Sequence, residues 1–223
     1  MIDLQRQGEV FVLRMDSGEN RFSSAMIRAF QEALDEVEGA SGPRALVTTG
    51  TGKFYTNGLD VEEMTSADVD AGEYVGRVLA IFERILLLPM ITVAAVNGHA
   101  FGAGGQVIMA HDFRLMRSDR GFFCMPEVDM RLPLHPGMSA ILAARIPAQT
   151  LHEVVVTGKR FGGEEAAARG IVDEAVTEAE LLERAIGIAA PLAAKADPVL
   201  RTLRQGLYGP VLAALKAAPP TAG

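Results

Sequence analysis

Apolar positions along the chain switch between two periods, and the switches mark out elements. Residues 9–15 alternate β-branched and aromatic side chains with other types and predict a strand. Asp16 to Asn20 form a turn cluster. Ile27, Phe30, Leu34 and Val37 then recur at three- and four-residue spacing, which predicts a helix capped by Ser23 or Ser24 and stopped at Gly39. Residues 44–49 read as a short buried strand that runs into the sharp loop Gly50-Thr51-Gly52-Lys53, and residues 54–60 as a second extended piece. Residues 72–88 are helical in pattern. Pro89 ends that helix and leads into a strand at 91–96. A loop with four glycines occupies 97–105, overlapping the start of a helix from about 103 to 111, followed by a strand at 112–117 and an extended piece at 122–124.

The second half is mostly helical, with candidates at 137–146, 148–156, 163–169 and 178–195 and a last helix from Asp197, where Pro198 takes the first helical position. One short strand is predicted at 171–176. No repeat and no low-complexity linker marks a strong boundary. The division expected is a core at 1–177 and a C-terminal helical segment at 178–223, ending in a frayed Ala-Pro-Pro-Thr-Ala-Gly tail.

Composition narrows the classes. The 223 residues are 49% hydrophobic and 22% charged, enough to bury a large core and ordinary for a globular protein. Lys and Arg number 21 against 28 Asp and Glu, a net charge of −7 with no basic run, which argues against a general nucleic-acid or anionic-membrane binder. The lone cysteine, Cys124, cannot form an internal disulfide and fits a reducing compartment. No apolar signal segment opens the chain, and the longest apolar run, 85–96, is too short for a bilayer. A cytoplasmic protein is expected.

Two loops carry the candidate chemistry. Lys53-Phe54-Tyr55-Thr56-Asn57-Gly58-Leu59-Asp60 follows one strand, and Gly102-Ala103-Gly104-Gly105 follows another and opens a helix. Small residues at such a junction let a ligand approach the backbone, and the first N–H groups of a helix lack intrahelical partners. That combination suits an anion or a developing oxyanion. The glycine spacing is not a dinucleotide fingerprint.

The order of motifs adds a resemblance. Ala94-Ala95-Val96-Asn97-Gly98-His99-Ala100-Phe101-Gly102-Ala103-Gly104-Gly105, with Asn57-Gly58-Leu59-Asp60 upstream and Met125-Pro126-Glu127-Val128 downstream, resembles the signature of the crotonase (enoyl-CoA hydratase/isomerase) superfamily. Thr157-Gly158-Lys159-Arg160-Phe161 and residues 166–173 are similar to its late segment, so the likeness runs from about residue 5 to 185. It implies an α/β fold, a superhelix of ββα units with C-terminal helices that serve trimer assembly, and hence a homotrimer or dimer of trimers. It also implies an acyl-CoA substrate, with CoA part of the substrate and no separate cofactor, metal, nucleic acid or membrane partner. By position the thioester oxygen lies between the backbone N–H groups of Leu59 and Ala103. Glu127 stands where the family carries a catalytic glutamate. Arg21, Phe22, Lys53, Asn57, Gly58, Asp60, Gly102 and Gln106 are the further substrate-binding positions.

One departure bears on the reaction. The family's hydratases use two glutamates, and the first of those positions holds Gln106 here. A neutral amide cannot activate water as a base, whereas one carboxylate suffices to take a proton from C2 and return it at C4. The stretch 110–122 with Glu127-Val128-Asp129 is similar to plant peroxisomal enoyl-CoA delta isomerases. The expected activity is therefore a Δ3,Δ2-enoyl-CoA isomerase in fatty-acid β-oxidation, against two alternatives: a hydratase or other crotonase-type enzyme, and a non-catalytic binding protein. Glu127 follows Phe122, Phe123 and Met125 and precedes Leu132 and Leu134, company that predicts a raised pKa. His99 reads as structural. His111 reads as a structural residue capping a helix C-terminus beside Asp112, a place that favours a cation. His135, between Leu134 and Pro136, reads first as a packing or exposed residue, with an acyl-pocket lining as the alternative, and Asp60 and Asp112 are loop anchors. No serine has a plausible His/Asp arrangement, and four scattered histidines with one cysteine give no metal-ligand spacing.

Overall fold

The computed structural model describes residues 1–218. The expected frayed tail lies outside the described residues from Pro219 onward.

A hairpin of β1 (Ile2–Gln7) and β2 (Val10–Met15) opens the chain, and α1 (Ser24–Gly39) follows. Ser23 caps α1, its hydroxyl accepting from the Met26 N–H at 3.2 Å. Then come β3 (Ala45–Gly50), β4 (Phe54–Thr56), α2 (Val61–Met64), α3 (Ala71–Leu86), β5 (Ile91–Val96), β6 (His99–Phe101) and α4 (Ala103–Met109). β7 (Phe113–Arg117), β8 (Phe123–Cys124), α5 (Glu127–Met130), α6 (Pro136–Arg145), α7 (Ala148–Thr157) and α8 (Gly163–Ala168) follow. The chain closes with β9 (Glu174–Val176), α9 (Glu178–Ala189), a 3-10 turn at 190–195, α10 (Pro198–Leu207) and α11 (Gly209–Leu215).

Two sheets result. The larger runs β1-β2-β3-β5-β7-β9, with β1 antiparallel and every later pair parallel, and the smaller runs β4-β6-β8. Each of β3, β5 and β7 is thus followed by a short strand in the second sheet and then by helix. That is the ββα winding expected of a crotonase-type superhelix.

The central strands are buried on both faces, so alternation sorts their side chains between two cores rather than between core and water. Leu46, Ala94, Val96 and Met116 face the main core with α1, α3 and α4, while Ala45, Val47, Val93, Ala95 and Leu115 face a second core. α9 covers that second face through Leu181, Ala185 and Ala189, and the two alanines let helix and sheet approach closely.

Several expectations needed correction. The 178–195 helix ends at Ala189, because Pro191 has no N–H to continue it, and passes into the 3-10 turn. The 171–176 strand shrinks to β9, and the 54–60 piece is strand only as β4. Part of the four-glycine loop is β6, whose three residues are too few to show a period. β1 was not expected: it is an edge strand, mostly exposed, with only Ile2 and Leu4 turned inward. The four-residue helices α2 and α5 also carry too little pattern to be read.

Candidate active site

The loop 57–60 is held from both sides by one buried tyrosine. The Phe22 N–H donates to the Gly58 carbonyl at 2.8 Å. The Tyr74 hydroxyl donates to the Phe22 carbonyl at 2.5 Å and accepts from the Asp60 N–H at 2.9 Å. Both peptide groups flanking Leu59 are thereby fixed, yet the Leu59 N–H itself meets no acceptor among the described residues. Asp60 goes on to cap α2, its carboxylate 3.3 Å from the Glu63 nitrogen.

Against this loop lies the start of α4. Gly58, at φ +80°, packs so closely that a Cβ there would fall 2.6 Å from the Phe101 carbonyl oxygen and 3.0 Å from the Ala103 nitrogen. Gly102 adopts φ 52°, ψ −121°, a region open in practice only to glycine. That conformation lets its N–H pair with the Cys124 carbonyl at 3.0 Å and its carbonyl accept from the Gln106 N–H at 3.1 Å, while the chain turns into the helix. The Ala103 N–H, like that of Leu59, has no acceptor among the described residues. The close contact at Gly58 brings these two free donors side by side.

Glu127 opens α5 just after Pro126. Its Oε1 would lie 3.4 Å from a Cβ built on Gly102, and its Oε2 is buried with no hydrogen-bond partner. Burial raises its pKa, because the charged form loses water and gains no cation in return.

These groups share a cavity of about 310 Å³. Of the residues singled out in the sequence, Arg21, Asn57, Leu59, Gly102, Ala103 and Glu127 line it, and Gly58 sits behind its wall. Glu127 is the sole carboxylate of the lining. Phe22, Lys53, Asp60 and Gln106 are not in the wall. Phe22 is fully buried behind the loop. Lys53 is exposed over the Phe54 ring. Gln106 is 0% exposed, and neither its amide nitrogen nor its amide oxygen has a partner. Leu132 and Leu134, expected beside Glu127, line the cavity, whereas sequence reasoning did not pick out Met64, Met130, Pro133 and Met138, which complete the apolar wall. The one available signal was the run Met130-Arg131-Leu132-Pro133-Leu134 directly after the Pro-Glu segment.

Arg21 stands in the wall paired with Glu19 at 2.6 Å, and Glu19 also accepts from Asn57 at 2.9 Å, which holds its carboxyl below the usual range together with Arg21. The histidines lie elsewhere. His99 stacks among Phe54, Phe101 and Phe122, and burial lowers its pKa. His111 is fully buried, and its Nδ1 donates to the Val107 carbonyl at 3.0 Å, leaving Nε2 to accept from Thr48 at 2.8 Å. Its pKa falls to about 4 because burial penalises the cation, so the ring is neutral despite the helix C-terminus, and its two buried hydrogen bonds fit the structural reading. Asp112 does anchor a loop, accepting from the Thr92 N–H at 2.8 Å. No group of three or more potential metal ligands occurs among the described residues, and none of their helices is long and apolar enough to cross a membrane.

The comparisons agree with this architecture. Enoyl-CoA delta isomerase 3 of Arabidopsis thaliana is 35% identical over 219 residues, covering 93% of this chain and 92% of the relative. The peroxisomal enoyl-CoA delta isomerase 2 of the same plant is 34% identical, with the same coverage. A crystal structure of a probable enoyl-CoA hydratase from Mycobacterium tuberculosis superposes with a TM-score of 0.90 at 25% identity, covering 97% of this chain and 92% of that one. The enoyl-CoA hydratase/isomerase profile matches residues 5–218, and the chain belongs to that family.

Proposed function

We propose that the protein is a Δ3,Δ2-enoyl-CoA isomerase that moves a double bond from C3 to C2 of an acyl-CoA. The observation that carries this reading is a cavity with one carboxylate, Glu127, beside two backbone N–H groups without acceptors. Glu127 takes a proton from C2. The electron pair released forms an enolate whose charge gathers on the thioester oxygen. The Leu59 and Ala103 N–H groups donate to that oxygen and stabilise the enolate more than the neutral thioester, which lowers the barrier. Glu127 then delivers its proton to C4, and the double bond comes to rest between C2 and C3. A carboxyl with a raised pKa suits both halves of this transfer near neutral pH.

Hydration needs a second group to activate water, and the position for it holds the neutral Gln106. The names of the two plant relatives point the same way. On this reading Arg21 and Asn57 at the cavity wall, with Lys53 beyond it, face the polar part of the thioester, while Gly58 and Gly102 admit it to the backbone. The homotrimer is likewise a proposal. Val199, Leu203 and Leu207 form an exposed apolar stripe on α10 at four-residue spacing, with Leu203 62% exposed, and supply the face it requires.

The test is spectroscopic. Added to 3-hexenoyl-CoA, the protein raises the absorbance of the conjugated thioester. Added to crotonyl-CoA, it removes that absorbance at least about a hundredfold more slowly, the cost of a missing acid–base partner. Hydration as fast as isomerisation overturns the single-carboxylate mechanism and favours the hydratase.

A further inference from the structure

We infer that Tyr74 is a positioning residue for the reaction: its hydroxyl fixes the direction of the Leu59 N–H before the substrate arrives. This rests on the reading of Leu59 as a donor to the thioester oxygen. A donor lowers the barrier most when it already points to where the charge will develop, so what holds it matters as much as what it is. The Ala103 N–H takes its direction from α4, whose first residue it belongs to. Leu59 lies in a loop, and no regular element sets the direction of its N–H.

Three segments close around it instead. The Phe22 N–H holds the Gly58 carbonyl, which shares one planar peptide group with the Leu59 N–H. The Phe22 carbonyl accepts from the Tyr74 hydroxyl, and that hydroxyl accepts from the Asp60 N–H, on the far side of Leu59. The result is a closed ring of hydrogen bonds through Phe22, Gly58, Asp60 and Tyr74, with Leu59 in the middle and its own N–H left out. Among the described residues, the Tyr74 hydroxyl is the one group outside 57–64 that bonds the backbone of Leu59 or Asp60.

The frame of this ring is rigid. Tyr74 is fully buried on α3, and Phe22 packs edge-on against Phe30 and Phe82 at ring separations of 6.4 and 6.3 Å. Burial pushes the hydroxyl's pKa up to about 12, so it keeps its proton for Phe22 throughout the neutral range. Tyr74 does not line the cavity, so it acts through Leu59 rather than on the substrate.

The experiment compares Tyr74→Phe with Tyr208→Phe, which removes a tyrosine hydroxyl that accepts from Arg145 at 2.7 Å and lies outside the cavity wall. Both variants are expected to lose stability, so two other readouts decide. In Tyr74→Phe, kcat for 3-hexenoyl-CoA is expected to fall about tenfold or more, up to the ~10²–10³-fold that a whole donor is worth. Hexanoyl-CoA is expected to bind within about threefold of wild type, because the donors hold the enolate more strongly than the neutral thioester. In difference infrared spectra with an isotope-labelled thioester carbonyl, the band of bound hexanoyl-CoA is expected at lower wavenumber than in solution for the wild type, and to move back towards the solution value in Tyr74→Phe. Tyr208→Phe is expected to change neither readout. If Tyr74→Phe does not fold, 4-aminophenylalanine placed at position 74 keeps the donation to Phe22 and weakens the acceptance from Asp60, and the same two changes are expected at smaller size. An unchanged kcat and band in the position-74 variant, or equal changes in Tyr208→Phe, overturn the inference. Failure of the isomerase reading looks different: the wild type does not convert 3-enoyl-CoA thioesters, while the band shift and its loss at position 74 remain.

Discussion

The two ends of α4 are built on opposite plans. At its C-terminal end the polar groups of the turn are paired. The Val107 carbonyl accepts from His111, and the carbonyls of His111 and Asp112 both accept from Arg145, at 2.7 and 2.8 Å. The Asp112 carboxylate accepts from the Thr92 N–H and from Arg204 at 2.6 Å. Beneath, Tyr55, Thr48 and His111 form one buried chain in which each hydroxyl has a partner. At the N-terminal end no side chain caps the helix, the Ala103 N–H is free, the Leu59 N–H beside it is free, and the Glu127 carboxylate has an orphaned oxygen. Buried unpaired groups each cost about 1–3 kcal/mol. Their concentration at one end of a seven-residue helix, whose other end is so heavily anchored, is a division of labour. The anchored end keeps the open end from relaxing onto its own protein, so its donors stay available for a substrate.

The largest effect expected is at the open end. Glu127→Gln should lower isomerisation by ~10²–10⁴-fold, as loss of a general base does. It should also stabilise the protein. The native pKa of Glu127 is raised from the ordinary 4.5, so above that value the native state holds the proton more tightly than the unfolded chain does. The wild type therefore loses stability as pH rises from 4.5 through the raised native value, and the amide does not. The variant's gain in melting temperature should be greatest at neutral pH and vanish below about pH 4.5. A variant less stable than wild type at neutral pH breaks the contrast between the two ends, because it means the carboxylate is satisfied after all.

At the anchored end the balance should invert. Arg145→Met strands two carbonyl groups and the Tyr208 hydroxyl, which takes an Arg145 hydrogen bond at 2.7 Å. A loss of about 2–4 kcal/mol in denaturant unfolding is expected. Turnover per folded molecule, measured well below the unfolding transition, should change less than about threefold, a shift of well under 1 kcal/mol in the barrier. If turnover instead falls as far as in Glu127→Gln while stability holds, the anchored end shapes the reaction directly and the division of labour is wrong.

This contrast also explains what could be read from the sequence. Strands at 91–96 and helices such as α1 and α3 announce themselves, because a two-sided or one-sided apolar pattern repeats long enough to be counted. The open end was legible for another reason: Gly58, Gly102 and Glu127 are unusual residues in a recognisable order. The anchored end was not, since Arg145 and Arg204 reach α4 from helices far along the chain, and nothing local marks an arginine as the partner of a distant carbonyl. The same holds for Tyr74, whose role is set by Phe22 and Asp60. The structural role of His111 was legible but its charge was not, because the local rule of a cation at a helix C-terminus applies where water reaches, and here desolvation overrides it.

His111 gives the finest test of that anchored end. Its ring is neutral in the native state, with a pKa of about 4 against an ordinary value near 6.5, and burial is the main cause. Below 6.5 the unfolded chain takes up a proton that the native protein refuses until about pH 4. The neutral ring's contribution to stability is therefore intact above pH 6.5 and lost progressively as pH falls towards 4, with a slope of at most about 1.4 kcal/mol per pH unit for one proton. His111→Gln removes this titration whatever it does to stability at pH 7, so denaturant unfolding followed from pH 7 to pH 4 should show a shallower decline than the wild type. The comparison of slopes separates the proton from the packing, because a lost hydrogen bond to Thr48 or Val107 lowers the whole curve without tilting it. Parallel curves for the two proteins would mean that His111 takes up its proton in the folded state at the same pH as in the unfolded chain. The Nδ1 donation to Val107 and the Nε2 acceptance from Thr48 would then be the wrong assignment of that buried chain.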